Sequence, residues 1–202
     1  MRGQKTLSAR GSASRGSKIA GLEDAMRFRM LSVIALVGLV VSSTSAQVKK
    51  SEMPGVRNYS RVDATVGCGG AVDPSAMSAL RKEGYVSVIN LRLPDEQGAD
   101  IDAGRAAAKA AGLKYIHLPF NAASPDPKVV SDFLSAVADK ANQPVFIHCG
   151  SANRVGAVWM IKRVLQDGWA VDRAQTEAEA IGLMNPQLLA FATGYIKEHK
   201  KQ

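Results

Sequence analysis

The chain is poor in metal-ligating and redox side chains: 202 residues hold three histidines and two cysteines. His117, His148 and His199 have no ligand-like spacing with the acids or cysteines, so no metal site is expected and no cofactor is implied. Cys68 and Cys149 leave one disulfide pairing open, and such a bond would silence either sulfur as a nucleophile. No apolar run reaches the ~20 residues that a comfortable transmembrane helix needs. The longest near the N-terminus, Leu31–Val41, is well short of that. An excess of one charge is missing too, once the N-terminus is set aside. Residues 1–46 carry seven of the 26 Lys/Arg and two of the 18 Asp/Glu, which leaves 19 basic and 16 acidic residues for the rest. That balance is no nucleic-acid footprint, despite the formal net charge of +8. No internal repeat is present.

What is present divides the chain unevenly. Residues 1–25 are rich in Arg, Lys, Ser and Gly without apolar periodicity and are expected to stay unfolded, or to precede a true start at Met26 or Met30. Residues 26–46 combine Arg27 and Arg29, the apolar run 31–41 and small residues ending at Ala46, the pattern of a cleavable export signal. The expected location is therefore periplasmic or secreted, with cleavage after Ala46; the alternative is an inner-membrane anchor formed by residues 31–41. A polar lead-in over 47–60 would then open a domain over 61–202.

Within that domain apolar runs alternate with helical patterns. Strands are expected over Ala64–Gly67, Tyr85–Leu91, Leu113–Pro119 and Pro144–His148, with Cys68-Gly69-Gly70 as a turn. Helices are expected after Asp73-Pro74, over Asp100–Ala111, from Pro127, from Arg154 to about Gln166, over Val171–Ile181 and after Asn185-Pro186. The alternation predicts an α/β fold, with a central, mostly parallel sheet of four to five strands flanked by helices. Ligands in such sheets sit outside the carboxyl ends of the strands.

Cys149 falls at such an end. The run Val145-Phe146-Ile147 leads into His148-Cys149, then Gly150-Ser151-Ala152-Asn153, then Arg154 at the start of a helical pattern. A loop of small residues can turn successive N–H groups inward as an anion nest, and the following helix adds its own unsatisfied amides and positive dipole end. A cysteine in that field is favoured as the nucleophilic thiolate. Arg154 contributes a planar fork suited to phosphate or sulfate oxygens. The nucleophile is thus Cys149, with Gly150, Ser151, Ala152, Asn153 and Arg154 binding the oxyanion.

His148-Cys149…Arg154 after a buried strand resembles the cysteine-dependent phosphatases of the dual-specificity and tyrosine-phosphatase type. Asn58–Val62, Gly67–Gly70, Gly84–Arg92 and Gly112–Pro119 are similar to one branch, the bacterial phosphatase-like domain found beside β-lactamase-like hydrolases and, in a related form, fused to some NAD kinases. The likeness spans about residues 56–182. It implies a dual-specificity-phosphatase-like fold and hydrolysis of a phosphomonoester, on a small molecule or a phosphoprotein, through a phosphocysteine at Cys149. It also implies a general acid from a loop; Asp126 is the first choice by chain order, with a helix N-cap as its alternative role, and Asp95 or Glu96 is the second. Three positions depart from the family pattern: four residues rather than five separate Cys149 from Arg154, Ala152 stands where a glycine is usual, and Val155 replaces a hydroxyl residue. The short spacing also resembles rhodanese-type sulfurtransferase loops, and Val155 leaves open a phosphate-binding protein of weak activity.

Overall fold

The computed structural model describes residues 48–200. The basic leader, the export signal and its cleavage point lie outside the described residues. Among those described, no helix is long and apolar enough to cross a membrane.

Six strands form one sheet in the order β1-β2-β3-β6-β4-β5. They are β1 (Lys49–Lys50), β2 (Ser60–Arg61), β3 (Val66–Gly69), β4 (Ser87–Asn90), β5 (Lys114–His117) and β6 (Val145–His148). β3, β6, β4 and β5 are mutually parallel, as the alternation predicts, while the two-residue strands β1 and β2 add an antiparallel edge. Among the described residues six α-helices cover the sheet: α1 (Met77–Lys82), α2 (Ile101–Ala110), α3 (Pro127–Ala138), α4 (Asn153–Leu165), α5 (Val171–Ile181) and α6 (Pro186–His199).

β6 lies in the middle, and each of its four residues is buried. Successive side chains point to opposite faces. Val145 and Ile147 enter the larger core with α3, α4 and α6, and Phe146 enters a smaller one with Tyr59, Leu80 and Tyr85. Phe146 stacks on Tyr59 at 5.9 Å and meets Tyr85 edge-on at 5.5 Å. Those rings explain the first departure from the sequence reading. Cys68 and Gly69 belong to a strand, not a turn, and the glycines are there because aromatic rings lie over them. A Cβ at Gly67 would sit 1.9 Å from Tyr85 Oη, and one at Gly69 2.8 Å from Phe146. The lead-in is likewise part of the fold, because Val56 and Tyr59 are buried in the smaller core.

α4 follows the cysteine loop and is buried on nearly all sides, from Arg154 through Ile161. Its close approach to α5 depends on Gly156, where an added Cβ would lie 2.8 Å from both Ala178 O and Leu183 Cβ. Its far end is fastened by charge. Arg163 donates Nε–H to Glu177 at 2.6 Å and Nη2–H to Asp63 at 3.2 Å, between the rings of Trp159 and Trp169. This network fixes the helix whose first turn carries Arg154.

Candidate active site

The parallel register aligns Gly69, His148, Asn90 and His117 at one level, so the next residues of all four strands lie along one edge. Cys149 is the first residue past β6 there, and its side chain is fully buried. The loop that follows is held from outside by its carbonyls. Ala71 N–H donates to Gly150 O at 3.0 Å, and Asn58 Nδ2 donates to Ser151 O at 3.3 Å. Asn58 does so from a left-handed backbone, φ 52°, which Asn tolerates better than most residues. With the carbonyls turned outward, the Ala152 N–H donates to Cys149 Sγ at 3.2 Å. The amides of Asn153 and Arg154 open the first turn of α4, where N–H groups have no intrahelical acceptor.

Ala152 takes the positive φ expected at a glycine position, 76°. That conformation costs an L-residue roughly 1–2 kcal/mol. Gly182 makes room for the methyl, since a Cβ there would stand 3.0 Å from Ala152 Cβ. Asn153 serves the same purpose from the other side: its Oδ1 accepts from Met184 N–H at 2.7 Å and Asn185 N–H at 2.8 Å. Its Oδ1 therefore docks the α5–α6 connection against the loop, while its Nδ2 donates to Ser151 Oγ at 3.1 Å.

Arg154 reaches back over the strand ends. Its Nη1 donates to Leu91 O and Phe120 O, each at 3.1 Å, and to Glu96 Oε1; its Nη2 donates to Glu96 Oε2 at 2.8 Å. The planar fork is thus locked in place, as a bidentate arginine–carboxylate pair should be. Glu96 also accepts from Leu93 N–H at 2.8 Å and from Arg92 Nε at 3.2 Å. Burial alone would raise the Glu96 carboxyl, but hydrogen bonds from Arg154, Leu93 and Arg92 outweigh it and bring it down to about 2. Arg92 in turn binds the carbonyls of Gly98 and Gln97 at 2.8 and 2.7 Å, which folds the 93–98 loop around its guanidinium. Chain order places Glu96 behind Asp126, but it is Glu96 that the fold brings to Arg154.

Asp126 is exposed and caps α3, its Oδ1 accepting from Lys128 N–H at 2.8 Å. It does not line the hollow above the cysteine loop. That hollow, about 400 Å³, is bounded by residues including Leu93, Glu96, Asn121, Ala122, Ser151 and Arg154. Larger hollows of about 580 and 460 Å³ run along the lead-in, but neither Arg154 nor any residue of the cysteine loop lines them, so chemistry rather than volume locates the site. Asp95 is exposed and lies outside all of these linings. Cys68 and Cys149 are both free thiols. Cys68 sits opposite Ile147 in the sheet, and burial pushes its thiol well up.

His148 supports the loop from below. Its ring stacks on Phe146 at 6.3 Å and has no hydrogen-bond partner for either nitrogen among the described residues. Burial, reinforced by the Arg92 and Arg154 cations, holds it down to about 4, so it is neutral at pH 7. Unfolding restores an ordinary imidazole of about 6.5, which binds a proton first as pH falls. Stability is therefore expected to drop by ~3 kcal/mol between pH 6.5 and 4 from this residue, at about 1.36 kcal/mol per pH unit. Urea midpoints across that window will show a smaller loss for His148→Gln than for the wild type; equal losses would assign the acid sensitivity elsewhere.

This geometry coincides with a family assignment. Residues 59–166, just over half of the chain, match the model of the β-lactamase hydrolase-like protein, phosphatase-like domain. The chain belongs to that family. The matched span contains every strand of the parallel sheet, the cysteine loop and all of α4. Solved structures agree on the fold. A DUF442 protein from Shewanella putrefaciens CN-32 has a TM-score of 0.61 at 21% identity, over 73% of this chain and 94% of that one. TpbA from P. aeruginosa has 0.59 at 22%, over 77% and 91%. The core catalytic domain of the PP-IP phosphatase SIW14 from S. cerevisiae has 0.60 at 22%, over 73% and 93%. No curated protein matches in sequence. The fold is that of the dual-specificity and tyrosine-phosphatase type, and the family reading is a cysteine-type phosphatase.

Proposed function

We propose that the protein is an exported phosphatase that cleaves a phosphomonoester through a phosphocysteine on Cys149. The carrying observation is the buried Cys149 Sγ, which accepts the Ala152 N–H at the floor of a loop spanned by the locked Arg154 fork. Attack by the sulfur on phosphorus throws charge onto the equatorial oxygens. The amides of Gly150–Asn153 and the free edge of Arg154 are preplaced for that charge and need no reorganisation as it develops. Water then cleaves the S–P bond and restores the thiolate. Val155, fully buried, offers no hydroxyl for this second step.

A TpbA form solved with phosphotyrosine and the PP-IP phosphatase activity named for SIW14 support a phosphorylated substrate, whether a small molecule or a phosphoprotein. Residues 26–46 support export, which an N-terminal mass beginning at Gln47 would register. The test of the reaction compares p-nitrophenyl phosphate hydrolysis with sulfur transfer from thiosulfate to cyanide, each with and without reductant. Hydrolysis without sulfur transfer is expected. Sulfur transfer without hydrolysis would make the protein a sulfurtransferase, and phosphate binding with neither activity would make it a binder.

A further inference from the structure

We infer that this site supplies no proton to the leaving group, and that its substrates are phosphoryl compounds whose leaving group departs as a stable anion. Acidic phenyl phosphates, acyl phosphates and phosphoanhydrides fit that class; phosphoserine-like alkyl esters do not. The inference rests on the phosphatase reading above and narrows it.

Three placements carry it. Glu96 is the only acid lining the hollow over Ser151, Asn153 and Arg154 of the cysteine loop among the described residues. Both of its oxygens are occupied as acceptors, Oε1 by Arg154 and Leu93 N–H and Oε2 by Arg154 and Arg92. A carboxylate that accepts four donors, three of them from two arginines, has no free proton to offer and is held to about 2. Asp126 is spent as the cap of α3 and does not line the hollow. The segment that would carry an acid over the site instead presents Asn121, Ala122 and Ala123. None of these side chains donates a proton as an acid.

The step balances without an acid. The Cys149 sulfur lone pair forms the S–P bond as the P–O bond breaks. The electron pair leaves with the oxygen, which departs as phenoxide, carboxylate or phosphate and takes any proton from bulk water. In the second step a water oxygen forms a P–O bond, the S–P pair returns to sulfur, and the proton of that water passes to solvent. A positioned general acid is worth ~10²–10⁴-fold when the leaving oxygen needs a proton. That factor is what an alkyl ester forfeits here.

The experiment measures kcat/KM of the full chain for p-nitrophenyl phosphate, phenyl phosphate, acetyl phosphate and a phosphoserine peptide. This parameter ends at the first irreversible step and is blind to slow phosphocysteine hydrolysis. We expect a steep fall as the leaving group becomes more basic, with the phosphoserine peptide slower than p-nitrophenyl phosphate by at least ~10²–10⁴-fold. Asp126→Asn, which keeps the cap, should leave every rate unchanged. Similar rates on aryl and alkyl esters, or a selective loss of the basic leaving groups in Asp126→Asn, would overturn this inference and leave the phosphatase standing. Failure to hydrolyse even p-nitrophenyl and acetyl phosphate would overturn the phosphatase reading and this one with it.

Discussion

Cys149→Ser is expected to reduce phosphate-ester hydrolysis to background while phosphate binding survives. The asymmetry follows from what each atom does. The thiolate forms the bond to phosphorus, and a serine hydroxyl without an adjacent base is a poor substitute for it. The oxygens are held by other groups: the loop amides and Arg154, whose positions are set by Ala71, Asn58, Glu96 and the carbonyls of Leu91 and Phe120. Only the Ala152 N–H bonds to the sulfur, and the serine oxygen can accept it in turn. Inorganic phosphate should therefore still raise the unfolding midpoint of the variant, by ~2.7 kcal/mol of stabilisation at a hundredfold excess over Kd. Residual Cys149-independent turnover would remove the cysteine from the mechanism. Loss of phosphate protection together with activity would show that the sulfur builds the loop rather than attacks from it.

Arg154→Lys should cost nearly as much while preserving the charge. A lysine ammonium cannot satisfy Leu91 O, Phe120 O and both oxygens of Glu96 and still face the loop. Removing one preplaced oxyanion donor typically lowers kcat by ~10²–10³-fold, and that range is expected here. Stability should fall as well, by ~1–3 kcal/mol for buried acceptors left unpaired. Measuring kcat, KM and the urea midpoint together checks the reading. A lysine variant of full activity would mean that only charge is required, and one that fails solely in stability would make Arg154 a fastening for the 93–98 loop. The pair with Glu96 also sets an acid limit. An ordinary glutamate near 4.3 is held here at about 2, so its stabilisation is complete above that ordinary value and is lost as pH falls from there toward 2. Any pH dependence above 5 arises from other groups.

The cysteine, the arginine and the strand that delivers them were legible because their signals are local. Three apolar residues, an abrupt His-Cys, a run of small residues and a helical pattern are contiguous in the chain. The parallel sheet was legible for a related reason, since alternating β and α patterns admit few topologies. Chain order favours Asp126, yet Asp-Pro ahead of a helix is equally a cap, and capping is what its carboxylate does. Glu96 ranked second because nothing local ties it to Arg154, 58 residues away. The Cys68-Gly69-Gly70 pattern suggests a turn for the converse reason, although Cys68 and Gly69 are strand. Glycine there answers to the Tyr85 and Phe146 rings, which are distant in sequence.

By itself the sequence determined the cysteine–arginine loop and which end of the sheet it occupies, because both follow from neighbouring residues and strand polarity. Only the tertiary structure decided what surrounds them. It tied the arginine to Glu96, spent the Asn153 Oδ1 on the backbone of Met184 and Asn185, and accommodated Ala152 at a positive φ beside Gly182. Each of these is a contact between residues far apart in the chain, made by side chains whose alternatives are equally good until the fold brings one partner within reach.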